Sequence, residues 1–260
     1  MDYQYIFERV ESKYVITRQQ RDVILNCIKD HIAPDIYPHS DITSIYFDSD
    51  DFRLIRNSLE KPAYREKLRL RCYGQIDDQS SVFFEIKKKY NGVIYKRRQD
   101  MTYKDARNYL IYNRVPCETQ IMKEIDYLRN SKDELKPKCL ISYQRDSYAG
   151  LAEADLRITF DYNVRYSTDN LVLTNHNLKD LTDEDMIIME IKTLNSMPLW
   201  LTEVLDKMNI YPSNFSKYGT VYCKYLWKGA TTCSTTYSHQ YTPIPSVLQT
   251  TSFAQSLHSY

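Results

Sequence analysis

Charged side chains occupy every second position in several stretches of the chain, with apolar side chains filling the gaps. Residues 67–71 read Lys-Leu-Arg-Leu-Arg, residues 85–87 read Glu-Ile-Lys, and the alternation returns in residues 157–165 and 189–192. Successive side chains of a β-strand point to opposite faces of a sheet, so each stretch has one apolar and one ionic face. Once paired into one sheet, their basic residues would form a concentrated cationic surface, which is suited to a polyanion.

The composition places any strong positive field in one part of the molecule. The 260 residues fit one large domain or two small ones. Lys and Arg number 35 against 34 Asp and Glu, a formal charge of +1, which argues against a generally basic nucleic-acid-binding protein. No Walker motif or GxGxxG sequence occurs, so any nucleotide must be bound by side chains rather than by a glycine loop.

The chain carries none of the patterns of a secreted or membrane-inserted protein. No apolar run approaches the length of a membrane span, and the first residues do not resemble a signal peptide. The six cysteines form no CxxC pair and have no histidine at zinc-site spacing, which predicts reduced thiols. These features predict a cytoplasmic protein without a transmembrane segment.

The positions of apolar residues predict strands that alternate with a few helices. Thr17 and Gln20 have the spacing of a capping box, and Pro198 suits the first residue of a helix. Strands are predicted at residues 5–16, 42–47, 64–73, 82–89, 93–101, 139–148, 156–165, 186–193 and 217–227, and helices at residues 17–31, 48–59, 104–112, 117–129 and from 198. Residues 229–260 contain no Asp, Glu, Lys or Arg and are rich in Ser and Thr, which predicts a weakly ordered tail after a domain at 1–228.

The ionic faces of these strands restrict how the sheet can be packed. An unpaired charge costs several kcal/mol when it is buried, so the charged faces cannot form an apolar core. The apolar faces must therefore lie against the helices. We expect an α+β fold: an antiparallel, eight-stranded, tunnel-like β-barrel with a charged, water-filled interior and helices packed outside. An ordinary sheet with one solvated face is the alternative.

Seven short motifs occur in the order seen in one known family. They are Arg9-x-Glu11-x-Lys13-Tyr14, Lys67-x-Arg69-x-Arg71, Glu85-x-Lys87, Tyr143-x-Arg145, Arg157-x-Thr159-x-Asp161, Glu190-x-Lys192 and Ser216-Lys217-Tyr218. Over residues 5–227 the chain resembles the polyphosphate polymerase domain of the vacuolar transporter chaperone type, a branch of the triphosphate tunnel metalloenzymes, as a free-standing, bacterial-like member. Arg9 stands where the adenylate cyclases and thiamine triphosphatases of that superfamily carry a glutamate, which favours the polymerase branch without excluding a hydrolase.

The resemblance implies an enzyme, an ATP:polyphosphate phosphotransferase of the polyphosphate kinase type. Its tunnel would bind ATP, the growing polyphosphate chain and a divalent metal, Mn²⁺ or Mg²⁺. One alternative is a tunnel triphosphatase that passes the phosphate to water. Another is a non-catalytic module that binds polyphosphate or inositol phosphate, which would need the basic residues but not Glu190.

The residue types at the motif positions suit phosphoryl transfer. A triphosphate carries about four negative charges, and its transfer is catalysed mainly by positioning and by neutralising charge. Arg offers forked donors to phosphate oxygens and Lys a compact charge. The catalytic candidates are Lys13, Arg69, Arg71, Lys87, Lys96, Arg145, Arg157 and Lys217, and the substrate-binding candidates are Lys67, Arg98, Lys192 and Ser216.

Carboxylates on the same parities are the candidates for binding the metal. A hard cation that bridges phosphates often takes only one or two protein carboxylates. Glu190 is the first choice and Glu11 the second. Glu11, Glu85 and Asp161 could equally pair with a neighbouring lysine or arginine.

Overall fold

The computed structural model describes residues 9–229, apart from 92, 131–133 and 195. The strands are β1 (Arg9–Thr17), β2 (Ile32–Asp48), β3 (Tyr64–Tyr73), β4 (Ser81–Tyr90), β5 (Val93–Thr102), β6 (Lys136–Gly150), β7 (Arg157–Ser167), β8 (Lys179–Asp180) and β9 (Met186–Leu194). The helices are α1 (Arg18–Ile28), α2 (Arg53–Glu60), α3 (Tyr103–Tyr112), α4 (Gln120–Arg129), α5 (Leu199–Lys207) and α6 (Lys217–Val221), the last followed by a π-helical turn, Tyr222–Leu226. All described strand pairs are antiparallel, and the sheet has the order β1-β9-β7-β6-β2-β3-β4-β5, with β8 beside β7.

The apolar faces of the strands pack against helices, as the alternation predicts. Leu68, Leu70 and Phe84 are fully buried and lie in one cluster with residues of α3 and α4. The apolar sides of β1, β7 and β9 lie in a second cluster with α1 and α5, and β2 and β6 in a third with α2 and α6. Burial of each large apolar side chain stabilises the fold by about 1.5–3 kcal/mol, and the first two clusters hold α1, α3, α4 and α5 on the face opposite the charges. The third cluster lies on the charged face, because Tyr46 is the ladder partner of Arg69 and stacks on Tyr218 of α6. The prediction that the helices pack outside is therefore wrong for α6.

Three helices begin at threonines that cap them. The side chain of Thr17 accepts a hydrogen bond from the backbone N–H of Gln20 at 3.0 Å, and the Gln20 side chain accepts from the Thr17 N–H at 2.9 Å. This confirms the predicted capping box. Thr102 and Thr119 cap α3 and α4 in the simpler one-way form. Such caps each contribute about 1 kcal/mol. Thr17 and Thr102 fix where β1 and β5 pass into α1 and α3, and Thr119 fixes the start of α4 after a loop.

The sheet curls on itself but its backbone ladder does not close. In the described residues, β1 and β5 are the two ends of the strand order, and no ladder joins them. Nevertheless Nζ of Lys87 on β4 lies 3.3 Å from a carboxylate oxygen of Glu11 on β1. A lysine and a glutamate side chain together reach well beyond the ~4.8 Å between hydrogen-bonded strands. Ionic side chains bridge the gap at this point, and the closed barrel predicted from the sequence is not confirmed.

Two other predictions about elements are wrong for local reasons. Residues 217–227 form α6 and the π-helical turn rather than a strand, because the Ser216 side chain caps the Gly219 N–H at 3.2 Å and starts a helix. β2 begins at Ile32, well before the strand predicted at residues 42–47, and it passes Pro34 and Pro38 through a register shift against β6 between Pro34 and His39. A bulge tolerates proline because its residues need not donate to the ladder.

The remaining sequence predictions concern thiols and the chain ends. Cys27, Cys72, Cys117 and Cys139 are free, as predicted, whereas Cys223 is disulfide-bonded and contradicts the prediction of reduced thiols. The predicted tail at 229–260 lies, from residue 230 onwards, outside the described residues.

Within the part of the chain that the structure describes, no helix has both the length and the apolar character needed to cross a bilayer.

Candidate active site

A cavity of about 520 Å³ lies inside the curve of the sheet. In the described chain it is lined by nine basic side chains but only three carboxylates. The basic residues are Lys13, Lys67, Arg69, Arg71, Lys87, Lys96, Arg145, Lys192 and Lys217, and the acidic ones are Glu11, Glu85 and Glu190. Ser216 and four tyrosines complete the polar lining. The sequence alternation thus produces the expected ionic interior although the ladder is open.

The register of β3, β4 and β5 arranges these charges in rows across the strands. In one row Arg69 lies opposite Glu85, which lies opposite Arg98, so a carboxylate separates two guanidinium groups. The neighbouring row contains only lysines, because Lys67 lies opposite Lys87 and Lys87 opposite Lys96. Like charges directly opposite one another in a sheet are destabilising. Such a row indicates a surface selected for binding an anion rather than for stability.

Glu85 anchors the basic side chains around it. It is 1% exposed, and its carboxylate lies 2.6 Å from Nε of Arg69, 2.6 Å from Nη2 of Arg98 and 2.8 Å from Nζ of Lys96. Burial alone would raise the pKa of Glu85, but Arg69, Arg71 and Lys96 outweigh it and hold the pKa far below its usual range. Glu85 is therefore ionised at neutral pH and fixes the orientation of its partners.

Asp161 on β7 likewise fixes the orientation of basic side chains that line the cavity. It is 1% exposed and accepts two hydrogen bonds from Arg145, at 2.6 and 2.8 Å, and one from Lys217 at 2.5 Å. Burial alone would raise the pKa of Asp161, but the charges of Lys217 and Arg145 outweigh burial. The pKa of Asp161 is therefore lower than its ordinary value. The choice left open by the sequence is thus decided for Glu85 and Asp161, because both pair with neighbouring cations.

Glu190 and Glu11 form a carboxylate pair at the seam between β9 and β1. Nζ of Lys192 lies 3.3 Å from a carboxylate oxygen of Glu190. Lys13 lies 3.7 Å from Glu11 and 3.8 Å from Glu190. Burial would raise the pKa of Glu190, but the charges of Lys192, Lys13 and Arg145 outweigh it and bring the pKa well below the usual value.

The donor chemistry at this pair fits a hard divalent cation. Within the described chain, no group of three or more His, Cys, Asp or Glu side chains could hold a metal, so a site here would have two carboxylates. The hydroxyl of Thr159, the ladder neighbour of Glu190, is buried and has no hydrogen-bond partner among these residues. Two carboxylates with a free hydroxyl nearby provide the few oxygen ligands that Mg²⁺ or Mn²⁺ takes from a protein when phosphates supply the rest.

None of the four tyrosines that line the cavity is among the site residues predicted from the sequence, and two of them bind arginines. Arg69 donates to the Tyr46 hydroxyl at 3.4 Å and Arg71 to the Tyr143 hydroxyl at 3.3 Å. Burial raises the pKa of Tyr46, but Arg69 and Arg71 outweigh it, so the net shift is downward. Tyr143 stands two residues before Arg145 and shares its parity, a signal that could have identified it.

All but two of the predicted site residues line the cavity. Arg98 lies beyond the lining, where it binds Glu85 and stacks over the Phe83 ring with 4.5 Å between its guanidinium carbon and the ring centre. Arg157, at the start of β7, pairs with Asp35 at 3.1 Å and donates to two backbone carbonyls. Arg157 lies on the inward face, opposite its ladder partner Lys192, but it does not line the cavity as the sequence analysis predicted.

Fold and site together define an antiparallel-sheet domain curved around a cationic cavity. The model of the VTC domain matches residues 8–226, and the chain belongs to the VTC domain family. This confirms the family inferred from the seven motifs.

Solved structures of similar overall shape come from distant proteins. A proposed adenylate cyclase from Bacillus halodurans is 14% identical, with 80% of this chain and 95% of that chain covered and a TM-score of 0.49. A proposed adenylyl cyclase from Hippeastrum, described as having a dominant triphosphatase activity, is 12% identical over 81% and 93% of the two chains, with a TM-score of 0.47. At these values no functional conclusion follows from either similarity.

Proposed function

We propose that the protein is a metal-dependent polyphosphate polymerase, which transfers the γ-phosphoryl group of ATP to the end of a polyphosphate chain inside the cavity. The observation that carries this proposal is the excess of nine basic side chains over three carboxylates in the lining. A triphosphate brings about four negative charges, and a polyphosphate chain about one per phosphate. Membership of the VTC domain family supports the same conclusion.

The arrangement of the arginines suits the transferring group. Glu85 binds Arg69, Ser44 binds Arg71, and Asp161 binds Arg145, at distances of 2.6 to 3.1 Å. Their orientation is therefore set before a substrate arrives. Preorganised donors of this kind stabilise developing charge without reorganisation during the reaction. A divalent cation on Glu190 and Glu11 would add neutralisation of the phosphate oxygens.

The proton balance favours a phosphate acceptor over water. A terminal phosphate oxygen of polyphosphate is already deprotonated near neutral pH, so it can attack the γ-phosphorus while the bond to the β–γ bridging oxygen breaks and ADP leaves. Water must lose a proton in the same step. Glu85 and Asp161, whose pKa values lie below the usual range, are poor proton acceptors. These carboxylates therefore support transfer rather than hydrolysis.

Incubation of the purified protein with γ-labelled ATP and Mn²⁺ tests the proposal. We expect ADP and a ladder of labelled polyphosphate on a gel, and we expect Arg69→Ala to lower the rate at least about 100-fold, as loss of a preorganised donor does. Arg97→Ala is the control, because Arg97 is exposed and pairs with Glu124 at 3.6 Å rather than lining the cavity.

Release of free phosphate alone would favour a triphosphatase. Binding of polyphosphate or inositol phosphate without turnover would favour a non-catalytic module. The predicted cytoplasmic location would give the cavity access to ATP.

A further inference from the structure

Lys67 differs from every other basic residue of the cavity lining. Within the described chain, the remaining eight each make an ion pair with a carboxylate. The pairs join Lys13 and Lys192 to Glu190, Lys87 to Glu11, Arg69, Arg71 and Lys96 to Glu85, and Arg145 and Lys217 to Asp161. Lys67 makes no ion pair or side-chain hydrogen bond with a described residue. Its ammonium group thus has no counter-ion among the residues that the structure describes.

The charged groups that act most strongly on Lys67 are cations, while the nearby carboxylates Glu11 and Glu190 pair with Lys13 and Lys87 instead. Lys13 reaches it from β1, Lys87 from β4, and Arg65 and Arg69 from its own strand. Lys87 is also its direct partner in the β3–β4 ladder. Burial, and then the repulsion of these groups, lowers the pKa of Lys67 to about 7. At the pH of a cell, Lys67 is therefore balanced between its neutral and charged forms.

We propose that Lys67 takes up a proton when a phosphate chain enters the cavity, so that the empty site holds a neutral amine and the occupied site an ammonium group that binds phosphate oxygens. An entering polyanion supplies the negative charge that the described part of the chain does not provide at this position, and it screens Lys67 from the surrounding cations. The proton comes from solvent, and no covalent bond changes. The inference rests on the proposed function only in taking a phosphate chain as the ligand.

The proposal has a direct calorimetric test. Inorganic tripolyphosphate would be titrated into metal-free protein at pH 8 in two buffers of different ionisation enthalpy, HEPES and Tris, which gives the number of protons taken up. A group with a pKa near 7 is about 90% neutral at pH 8, so the wild type should take up roughly 0.9 proton more than Lys67→Met. Lys88→Met is the matched control, because Lys88 is the next residue on β4 but does not line the cavity. It should behave as the wild type does.

A second variant distinguishes the effect of a positive charge at position 67 from the effect of proton uptake by Lys67. Lys67→Arg carries a permanent charge, so we expect it to bind tripolyphosphate at pH 8 at least as tightly as the wild type but without the additional proton uptake. Between pH 7.5 and 9, wild-type affinity should fall up to about tenfold per pH unit more steeply than that of Lys67→Arg.

Each outcome bears on a different claim. Equal proton uptake by the wild type, Lys67→Met and Lys67→Arg would overturn the inference while leaving the proposed function intact. No binding of tripolyphosphate by folded wild-type protein would overturn the proposed function and the inference with it.

Discussion

Glu85 and Asp161 explain how a cavity with so much positive charge keeps a fixed shape. Each is almost fully buried, and each holds basic side chains at hydrogen-bonding distance. A buried ion pair is weak evidence for stability, since desolvation of both partners offsets most of the attraction. The role of these carboxylates is therefore to orient the cations that face the cavity. Their removal would leave several buried cations uncompensated.

Glu85→Gln should destabilise the protein strongly. Loss of one partner of a buried ion pair costs about 3–5 kcal/mol, and about 2–4 °C of melting temperature corresponds to each kcal/mol in a chain of this size. We expect the melting temperature to fall by about 10 °C in a thermal melt followed by circular dichroism. Glu124→Gln is the control, because Glu124 forms a surface pair with Arg97 at 3.6 Å and should shift the melt by 2 °C or less, as roughly expected for a surface pair. Similar shifts in both variants would contradict the anchoring role.

Glu190→Gln should affect the metal more than the phosphate. The substitution removes one negative charge beside Lys13, Lys192 and Arg145, so the cavity becomes more cationic. We expect tripolyphosphate binding without metal to be unchanged or stronger, whereas the Mn²⁺ concentration for half-maximal activity should rise at least about tenfold. Calorimetry and an activity titration measure the two quantities. Coincident metal titrations of variant and wild type would remove Glu190 from the metal site.

At the scale of secondary-structure elements, Asp48 connects β2, α2 and α6 beside the cavity. It ends β2, and its carboxylate accepts from the backbone N–H groups of Leu54 and Ile55 at 2.8 and 3.0 Å, in the first turn of α2. It also accepts from the hydroxyl of Tyr218 in α6 at 3.0 Å. The residue at the N-cap position, Phe52, makes no side-chain cap, so Asp48 supplies the cap from a distance.

Asp48→Ala should loosen both helices at once. It leaves buried N–H groups and a buried hydroxyl without an acceptor, a cost of about 2–4 kcal/mol. Asp50→Ala is a suitable comparison, because Asp50 is exposed and only pairs with Lys136 and Lys138 on the surface. We expect faster amide hydrogen exchange in α2 and α6 for Asp48→Ala and no change for Asp50→Ala. An unchanged exchange pattern in both would show that other contacts hold these helices.

The sequence predicted the elements whose signals are local. Residues 64–73 form a strand with the predicted bounds, and the alternation of charged and apolar side chains over residues 67–71 is the signal that identified it. The Thr17 capping box likewise depends on neighbouring residues only. Residues 217–227 have the tyrosines and valine of a strand, yet a cap and the packing of Tyr218 beneath the cavity make them helical. Tertiary contacts override β-propensity there.

The same distinction holds for the site. Parity alone placed Lys13, Arg69 and Lys87 in the cavity, because a strand fixes which face a side chain takes. Parity does not indicate how far the cavity extends along each strand. Arg157 has the inward parity but lies beyond the end of the cavity. Nor does it identify ion-pair partners on strands distant in sequence, such as Lys87 and Glu11.

For the whole molecule, the buried carboxylates predict a stability that is lost in acid. The pKa values of Glu85, Asp161 and Glu190 are lower in the folded protein than their ordinary values. Burial raises the pKa of Asp48, the fourth buried carboxylate among the described residues, so Asp48 acts in the opposite direction, but the three lowered values outweigh it. The unfolded chain therefore binds more protons below about pH 4, and stability falls as pH decreases through that range. We expect a melting temperature that is nearly constant from pH 7 to about 5.5 and falls steeply below about pH 4.5.

The Glu85→Gln variant checks the origin of that acid effect. In the unfolded wild type Glu85 binds a proton at about pH 4, whereas in the folded protein its pKa lies far lower. The stabilisation that its charge provides therefore decreases below about pH 5, and the difference in melting temperature between wild type and Glu85→Gln should narrow. A difference that stays constant between pH 7 and 3 would assign the acid loss to other groups.

The central claim is that the inner face of the curved sheet binds the phosphates and the metal. A crystal structure of the protein soaked with tripolyphosphate and Mn²⁺ tests it most directly. We predict phosphate oxygens at hydrogen-bonding distance from Arg69, Arg145 and Lys217, and anomalous scattering from Mn²⁺ at coordination distance from Glu190. Tripolyphosphate bound on the outer surface with the cavity empty, or Mn²⁺ bound away from Glu190, would contradict the account.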